Sequence, residues 1–263
     1  MILPDFVEIE SDEVIKVEGK EKKGDVRELR EILPLVFEKG RWVNELPQDK
    51  PLYFMFRDVS KESDKDFLKE KAVRFDITII PAFKLGKEFV KTYGHYHPII
   101  PGKNISYPEI YEIISGKCMF ILQRADESGN IIDAFLVECE EGDKIIIPPN
   151  YGHVMVNTGY KTLITSNLVS SRFKSIYEPY REKRGAAFYV LSEFMNVKIV
   201  KNQAYDNVPD PVVLKPSEKV LEILNVKKEE SLYKLVEERS NVLDFLNDPE
   251  KFGELCDKNS VFL

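Results

Sequence analysis

Histidine is scarce in this chain, with three in 263 residues, and cysteine is equally so. The three cysteines, Cys118, Cys139 and Cys256, are odd in number and far apart, which speaks against a disulfide framework and fits a reducing compartment such as the cytoplasm. No run of 18 apolar residues occurs, so no transmembrane helix is expected. The acidic opening MILPDFVEIESDE does not read as a signal peptide. Positive charge is in deficit: 38 Lys and Arg stand against 45 Asp and Glu, giving a net charge of −7. That balance argues against a general nucleic-acid-binding role. An anionic ligand would need a local positive device, a metal or a cluster of backbone N–H groups. Internal repeats and low-complexity segments are also missing. What remains is a 43% apolar chain able to bury a sizeable core, as one large domain or as one domain with an appendage.

Along the chain, GDVRELREILPLVF reads as a short helix, with Leu29, Ile32 and Leu33 on one face until Pro34 disturbs it. PLYFMFRDV, FDITIIPAF and EFVKTY read as strands, the last two around a turn at Lys84–Gly86. From residue 92 to 170 six short β-runs follow at intervals of roughly 10–13 residues: EIYEIISG, KCMFILQR, IIDAFLVE, DKIIIPP, HVMVNT and TLITSNLV. Gly, Asn, Asp and Pro punctuate them, and DESGN is a hairpin turn. This spacing predicts an antiparallel sandwich or barrel. Near residue 191 the character changes. AYDNVPDPVVLKPSEK reads as an extended arm, and SEKVLEILNV, ESLYKLVEERSNVLDFL and DPEKFGELC read as helices, with Asp248 as N-cap before Pro249. The expected organisation is a β domain over 1–190 and a linker with a small helical appendage over 191–263.

All three histidines fall in two short stretches, TYGHYHP and PPNYGHVMVN, about 55 residues apart. Side chains at i and i+2 share one face of a strand, so His95 and His97 point the same way, as do Glu109 and Tyr111. If that face lines a barrel, His95, His97, Glu109 and His153 can converge. Three imidazoles and a carboxylate suit a divalent first-row metal. A lone His-x-His is more often an accident than a ligand pair, and Glu109 alone would be a solvated strand residue. The joint spacing is more selective: Glu109 precedes Gly116 by six intervening residues, and Gly142, Pro148, His153 and Asn157 follow in fixed register.

These spacings resemble the two signature motifs of the cupin superfamily, which implies a mainly β, jelly-roll or double-stranded β-helix barrel, here with a C-terminal helical extension. An inserted loop, PIIPGKNISYP, lengthens the gap between His97 and Glu109, and Asn150 stands where the motif has Gly. Flanking residues narrow the resemblance. Thr78, GKEF, Thr92, the Gly94–Pro98 stretch, Glu109-Ile110-Tyr111 and Pro148 to Asn157 are similar to archaeal-type cupin phosphoglucose isomerases over roughly residues 70–180. Carried over by position, the resemblance implies His95, His97, Glu109 and His153 as metal ligands. Thr78, Thr92 and Gly94 fall on the substrate-phosphate site, and Glu109, Tyr111 and Tyr177 on catalytic positions. A further pocket tyrosine of that family is replaced near Val169. Lys87, Lys91 and Lys103 are near in sequence and read as surface lysines. The resemblance also implies one divalent metal per subunit (Fe2+ foremost, then Mn2+, Ni2+ or Zn2+), a sugar-phosphate substrate, a homodimer and a cytoplasmic enzyme of glycolysis and gluconeogenesis. A mannose 6-phosphate or bifunctional isomerase is the nearest rival. A metal-dependent cupin dioxygenase shares the ligand set but has no use for a phosphate cradle, and a non-enzymatic sugar-binding cupin would usually have lost ligands.

Overall fold

The computed structural model describes residues 2–194 and 196–263. Its elements, in chain order, begin with a meander of β1 (Val7–Ile9), β2 (Val14–Val17) and β3 (Lys20–Lys23). There follow β4 (Asp25–Glu28), α1 (Leu29–Ile32), β5 (Pro51–Phe56), α2 (Lys65–Lys71), β6 (Val73–Ile80), β7 (Lys84–Leu85) and β8 (Glu88–Phe89). The middle of the chain supplies β9 (Glu109–Ser115), β10 (Lys117–Ala125), β11 (Ile131–Glu140), β12 (Lys144–Ile147), β13 (Gly152–Asn157) and β14 (Leu163–Ser170). Then come α3 (Glu178–Glu182), β15 (Phe188–Glu193), β16 (Asn196–Lys201), β17 (Val213–Leu214), α4 (Glu218–Leu224), α5 (Lys234–Glu237), α6 (Gly253–Cys256) and α7 (Lys258–Val261).

The six β-runs read from the sequence are β9 to β14. They form the mainly β, cupin-type jelly roll. One sheet runs β12-β9-β14-β6-β5-β4 and the other runs β13-β10-β11-β17. The chain crosses between them in nested pairs: β6 with β14, the 91–95 segment with β13, and the β10–β11 hairpin innermost. The hairpin turn is built by Asp126, whose Oδ1 accepts from the N–H groups of Ser128 and Asn130, both at 2.9 Å.

Two expectations need correction. GDVRELRE is not helical throughout: Asp25–Glu28 pair with β5, and the helix starts only at Leu29. Arg and Glu are helix formers, but the edge of a sheet already present overrides a weak local preference. ESLYKLVEERSNVLDFL is not one helix either. Arg239 adopts φ +54°, and Ser240 then caps a new 3-10 turn through Val242 N–H, so the segment folds as α5 followed by Asn241–Leu246. The meander β1–β3 has no counterpart in the sequence reading. Its second hairpin turns on Glu18 and Gly19, both at positive φ (+48° and +75°).

Side-chain alternation gives the large sheet two unlike faces. On β6, Phe75, Ile77 and Ile79 point outward into the main hydrophobic core. The C-terminal segment covers that face with buried Leu232, Tyr233, Leu235, Val236, Leu243, Phe245 and Leu246. Tyr233 packs edge-on against Phe75 at 5.1 Å, and its hydroxyl donates to Asp64 at 2.8 Å. On β9, outward-facing Glu112 meets buried Lys144 at 3.1 Å. Lys144 Nζ also reaches the carbonyls of Lys228 (2.9 Å) and Glu230 (2.7 Å), while Leu232 N–H donates to Glu112 at 3.0 Å. The tail is thus tied to the sheet by a buried, fully partnered ion pair. The inner face carries Arg74, Asp76 and Thr78 on β6, Glu109 and Tyr111 on β9, and Asn167 and Val169 on β14.

Candidate metal centre and active-site cavity

His95 and His153 face each other as a backbone pair: His95 N–H donates to His153 C=O at 3.2 Å and His153 N–H returns the bond at 3.1 Å. This fixes their imidazoles side by side, with ring centroids 4.6 Å apart. Gly94 makes the close approach feasible. It has φ +83°, and a Cβ there would lie 2.4 Å from Val154 and 2.8 Å from the Tyr180 ring. His97, two residues on, returns to the same side. Its Nδ1 bonds the carbonyl of Tyr107 at 2.8 Å, and that bond requires the proton on Nδ1 and leaves the Nε2 lone pair free. Tyr107 ends the inserted loop, and Phe173 packs against the rings of both His97 and Tyr107, at 4.4 and 4.8 Å. Asn150 holds the loop by a reciprocal pair of bonds with Ser106 (2.9 and 2.6 Å) and takes the left-handed φ of +69° that its glycine-like position demands.

Glu109 enters from β9. Asn167 donates to its Oε1 at 2.7 Å and so aims Oε2 at the histidines. Glu109 Oε2 lies 3.3 Å from His97 Nε2 and 3.4 Å from His153 Nε2, and His95 Nε2 is 3.2 Å from His97 Nε2. All four residues offer donor atoms within 4.8 Å of one another. Burial drives the His95 imidazole well below its ordinary value, helped by the neighbouring charges of His153 and His97. Burial also pushes His153 down to about 4, against the pull of Glu109. Burial alone would raise Glu109, but the closeness of the His97 and His153 rings and the charge of Arg74 outweigh it and hold the carboxyl below its usual range. Near neutral pH, the neutral His95 and His153 imidazoles and the Glu109 carboxylate therefore aim lone pairs at a shared point, which the free Nε2 of His97 also faces. Glu109 Oε2 is buried with no hydrogen-bond partner among the described residues. An orphaned carboxylate oxygen facing acceptors is costly unless a cation lies between them. Donor separations of this size are also what bonds of about 2.0–2.1 Å to one ion produce. The residues fit a divalent metal.

Beside this cluster lies a cavity lined by Thr78, His95, His97, Glu109, Tyr111 and Tyr177, all anticipated from the sequence. Tyr111 hydroxyl is 3.2 Å from His153 Nε2, and Tyr177 packs on His95 at 5.5 Å and on Tyr93 at 5.3 Å. Burial, reinforced by Glu109, raises the Tyr111 phenol well above its ordinary value, so it stays a hydrogen-bond donor. Thr92 and Gly94 are not among the lining residues. The Thr92 hydroxyl accepts from Met155 N–H at 3.0 Å, and the Cβ direction of Gly94 faces Val154 and Tyr180. The three lysines noted in sequence are elsewhere. Lys91 is buried on Glu88 at 2.5 Å, Lys103 pairs with Asp248 and Glu250 of the tail, and Lys87 is exposed.

Residues absent from any motif also line the cavity: Arg57, Arg74, Asp76, Asn167 and Phe173. One signal was available. RFDITII places two charged residues at i and i+2 in an otherwise apolar strand, which marks that face as something other than ordinary core.

Comparison with known proteins agrees with this geometry. A family model described as "Glucose-6-phosphate isomerase (GPI)" matches residues 26–210. Glucose-6-phosphate isomerase of Thermococcus onnurineus is 30% identical over 67% of this chain and 85% of its own length. The Pyrococcus furiosus protein of the same name is 27% identical over 71% of this chain and 89% of its own, and that of Pyrococcus horikoshii 27% identical over 73% and 92%. A weaker likeness links the chain to oxalate decarboxylase from Bacillus subtilis, with a TM-score of 0.32 and 18% identity over 47% of this chain and 26% of the other.

Proposed function

This chain belongs to the glucose-6-phosphate isomerase family, and on that premise we propose that it interconverts glucose 6-phosphate and fructose 6-phosphate in a metal-dependent aldose–ketose isomerisation. The observation that carries the reading is the convergence of His95, His97, Glu109 and His153 beside a cavity lined by Tyr111, Tyr177 and Thr78.

Those four side chains would hold one divalent cation per subunit, with Fe2+ foremost and Mn2+, Ni2+ or Zn2+ as alternatives. When bound, the cation supplies Lewis acidity toward carbonyl and hydroxyl oxygens. His97 is kept in its ligating tautomer by Tyr107, and Glu109 is aimed by Asn167. Tyr111, held as a neutral phenol, donates to a sugar oxygen or passes a proton to it. Tyr177, which lines the same cavity with its ring against His95, would contact the sugar. Glu109 is the catalytic carboxylate of this reading, with the hydride shift as the alternative to proton abstraction. Thr78, Thr92 and Gly94 are the proposed phosphate end, Thr78 by its hydroxyl in the cavity and the other two on the adjoining 92–94 segment. The working form is a cytoplasmic homodimer, and the described residues hold no helix long and apolar enough to cross a membrane.

The test is direct. The purified protein is stripped with a chelator and supplied with each metal in turn, and conversion of fructose 6-phosphate is followed with glucose 6-phosphate and mannose 6-phosphate measured separately. Metal-restored glucose 6-phosphate that disappears again in His95→Ala is the expected result. Full metal loading with no sugar product would sink the reading.

A further inference from the structure

We propose that Arg74 is a catalytic residue: its guanidinium donates to the substrate oxygen that becomes anionic as the carbonyl moves between C1 and C2. This rests on the isomerase reading above. Arg74 stands opposite Val169 on β14, and Val169 stands opposite Glu109 on β9, so the three form one row across the inner face. Neighbouring strands are about 4.8 Å apart, which puts the outer two backbones about 10 Å from each other. The middle position carries only a valine, so the long Arg74 side chain has room over it on the same side as Glu109.

The head is held and yet unspent. Arg74 Nε donates to Asp76 Oδ2 at 2.7 Å, and Asp76 Oδ1 in turn accepts from Asp58 N–H at 3.0 Å. Arg74 lines the cavity with its side chain 23% exposed, and its two terminal nitrogens make no hydrogen bond among the described residues. A planar fork fixed through Nε, its terminal nitrogens unbonded among the described residues beside the cavity, is suited to an oxyanion.

Either chemical route generates one. Starting from the ketose, a base can take the C1 hydrogen as a proton. The C–H pair then becomes the C1–C2 double bond, and the carbonyl pair moves onto O2. Alternatively, O1 loses its proton, the C1 hydrogen passes to C2 with its electron pair, and the carbonyl pair again moves onto O2. No external oxidant or reductant enters, and a proton returns to close the balance. In both cases negative charge arrives on O2. The phosphate lies elsewhere in this arrangement. Thr78 is four residues along the same strand, its backbone about 13 Å from that of Arg74.

The experiment compares R74Q, R74K and the double variant R74Q/D76N with the unmodified protein. The double variant leaves no buried carboxylate without its partner, so it keeps the test alive if R74Q folds poorly. Four quantities are read: kcat, KM, metal content, and fructose 6-phosphate binding to the metal-stripped protein by calorimetry. R74Q and R74Q/D76N are expected to lose about 10²-fold in kcat, with KM, metal content and binding unchanged, and R74K to recover part of the loss. Unchanged kcat overturns the proposal. So does a raised KM and weakened binding with kcat intact, which would make Arg74 the phosphate holder. Absence of turnover in the unmodified protein overturns the isomerase reading itself.

Discussion

Glu109 and Glu112 lie three residues apart on β9 and face opposite sides of the same sheet. Both are buried, and their surroundings could hardly differ more. Glu112, on the outer face, has Lys144, Ser166 Oγ and the Leu232 N–H around its two oxygens. Glu109, on the inner face, has one oxygen bonded to Asn167 and the other without a hydrogen-bond partner among the described residues, aimed at the His97 and His153 rings. The outer carboxylate is spent on holding the C-terminal segment to the barrel. The inner one is held in reserve. One strand thus separates groups whose bonding is complete, and which serve stability, from groups whose bonding is incomplete, and which serve chemistry.

Substitutions can break this contrast. The largest effect is expected at the inner face. Glu109→Ala should remove turnover by about 10³-fold or more, since Lewis-acid stabilisation is worth several kcal/mol and each factor of ten costs about 1.4 kcal/mol. The thermal midpoint of the metal-free protein should hold or rise, because a costly orphan has been removed. Kinetics and calorimetry on one preparation check both. At the outer face the outcome should invert. Glu112→Ala strands the Lys144 ammonium, which burial already pushes below its ordinary value, and should cost about 3–5 kcal/mol of stability in denaturant unfolding. The activity per folded molecule should persist. Replacing both partners, Glu112→Gln with Lys144→Met, should recover much of that loss. Asn167→Ala sits between the extremes: it frees Glu109 Oε1 and should weaken metal affinity by about 10–100-fold without unfolding the barrel, as a metal titration would read. The smallest effect is Tyr233→Phe, which removes the hydroxyl from Asp64 and Lys61 N–H but keeps the ring, and should cost about 1 kcal/mol.

Much of the inner face was legible in the sequence because strands write their faces at every second residue. His95 and His97, then Glu109 and Tyr111, needed only that rule and the motif spacing to be brought together, and the six strands β9 to β14 announced themselves through turn residues. Arg74 and Asp76 escaped because no motif contains them. Their significance lies in which strand pairs with β6, a long-range fact. Thr92 was read as a phosphate contact; its hydroxyl accepts from the N–H of Met155, 63 residues away, a partner no local pattern announces. The C-terminal segment was read as three helices, and it folds as the short helices α4 to α7 with 3-10 turns between them. Its conformation follows the outer sheet surface that it must cover, through Lys144 and Leu232, rather than its own periodicity.

The most direct measurement of the central claim is a titration of metal-stripped protein with a divalent cation while fructose 6-phosphate turnover is recorded. Turnover should rise in proportion to metal added and break sharply at one ion per subunit, and Glu109→Ala should show neither the rise nor the break. Turnover in the stripped protein that added metal leaves unchanged, or one ion taken up per subunit with no isomerisation, would contradict it.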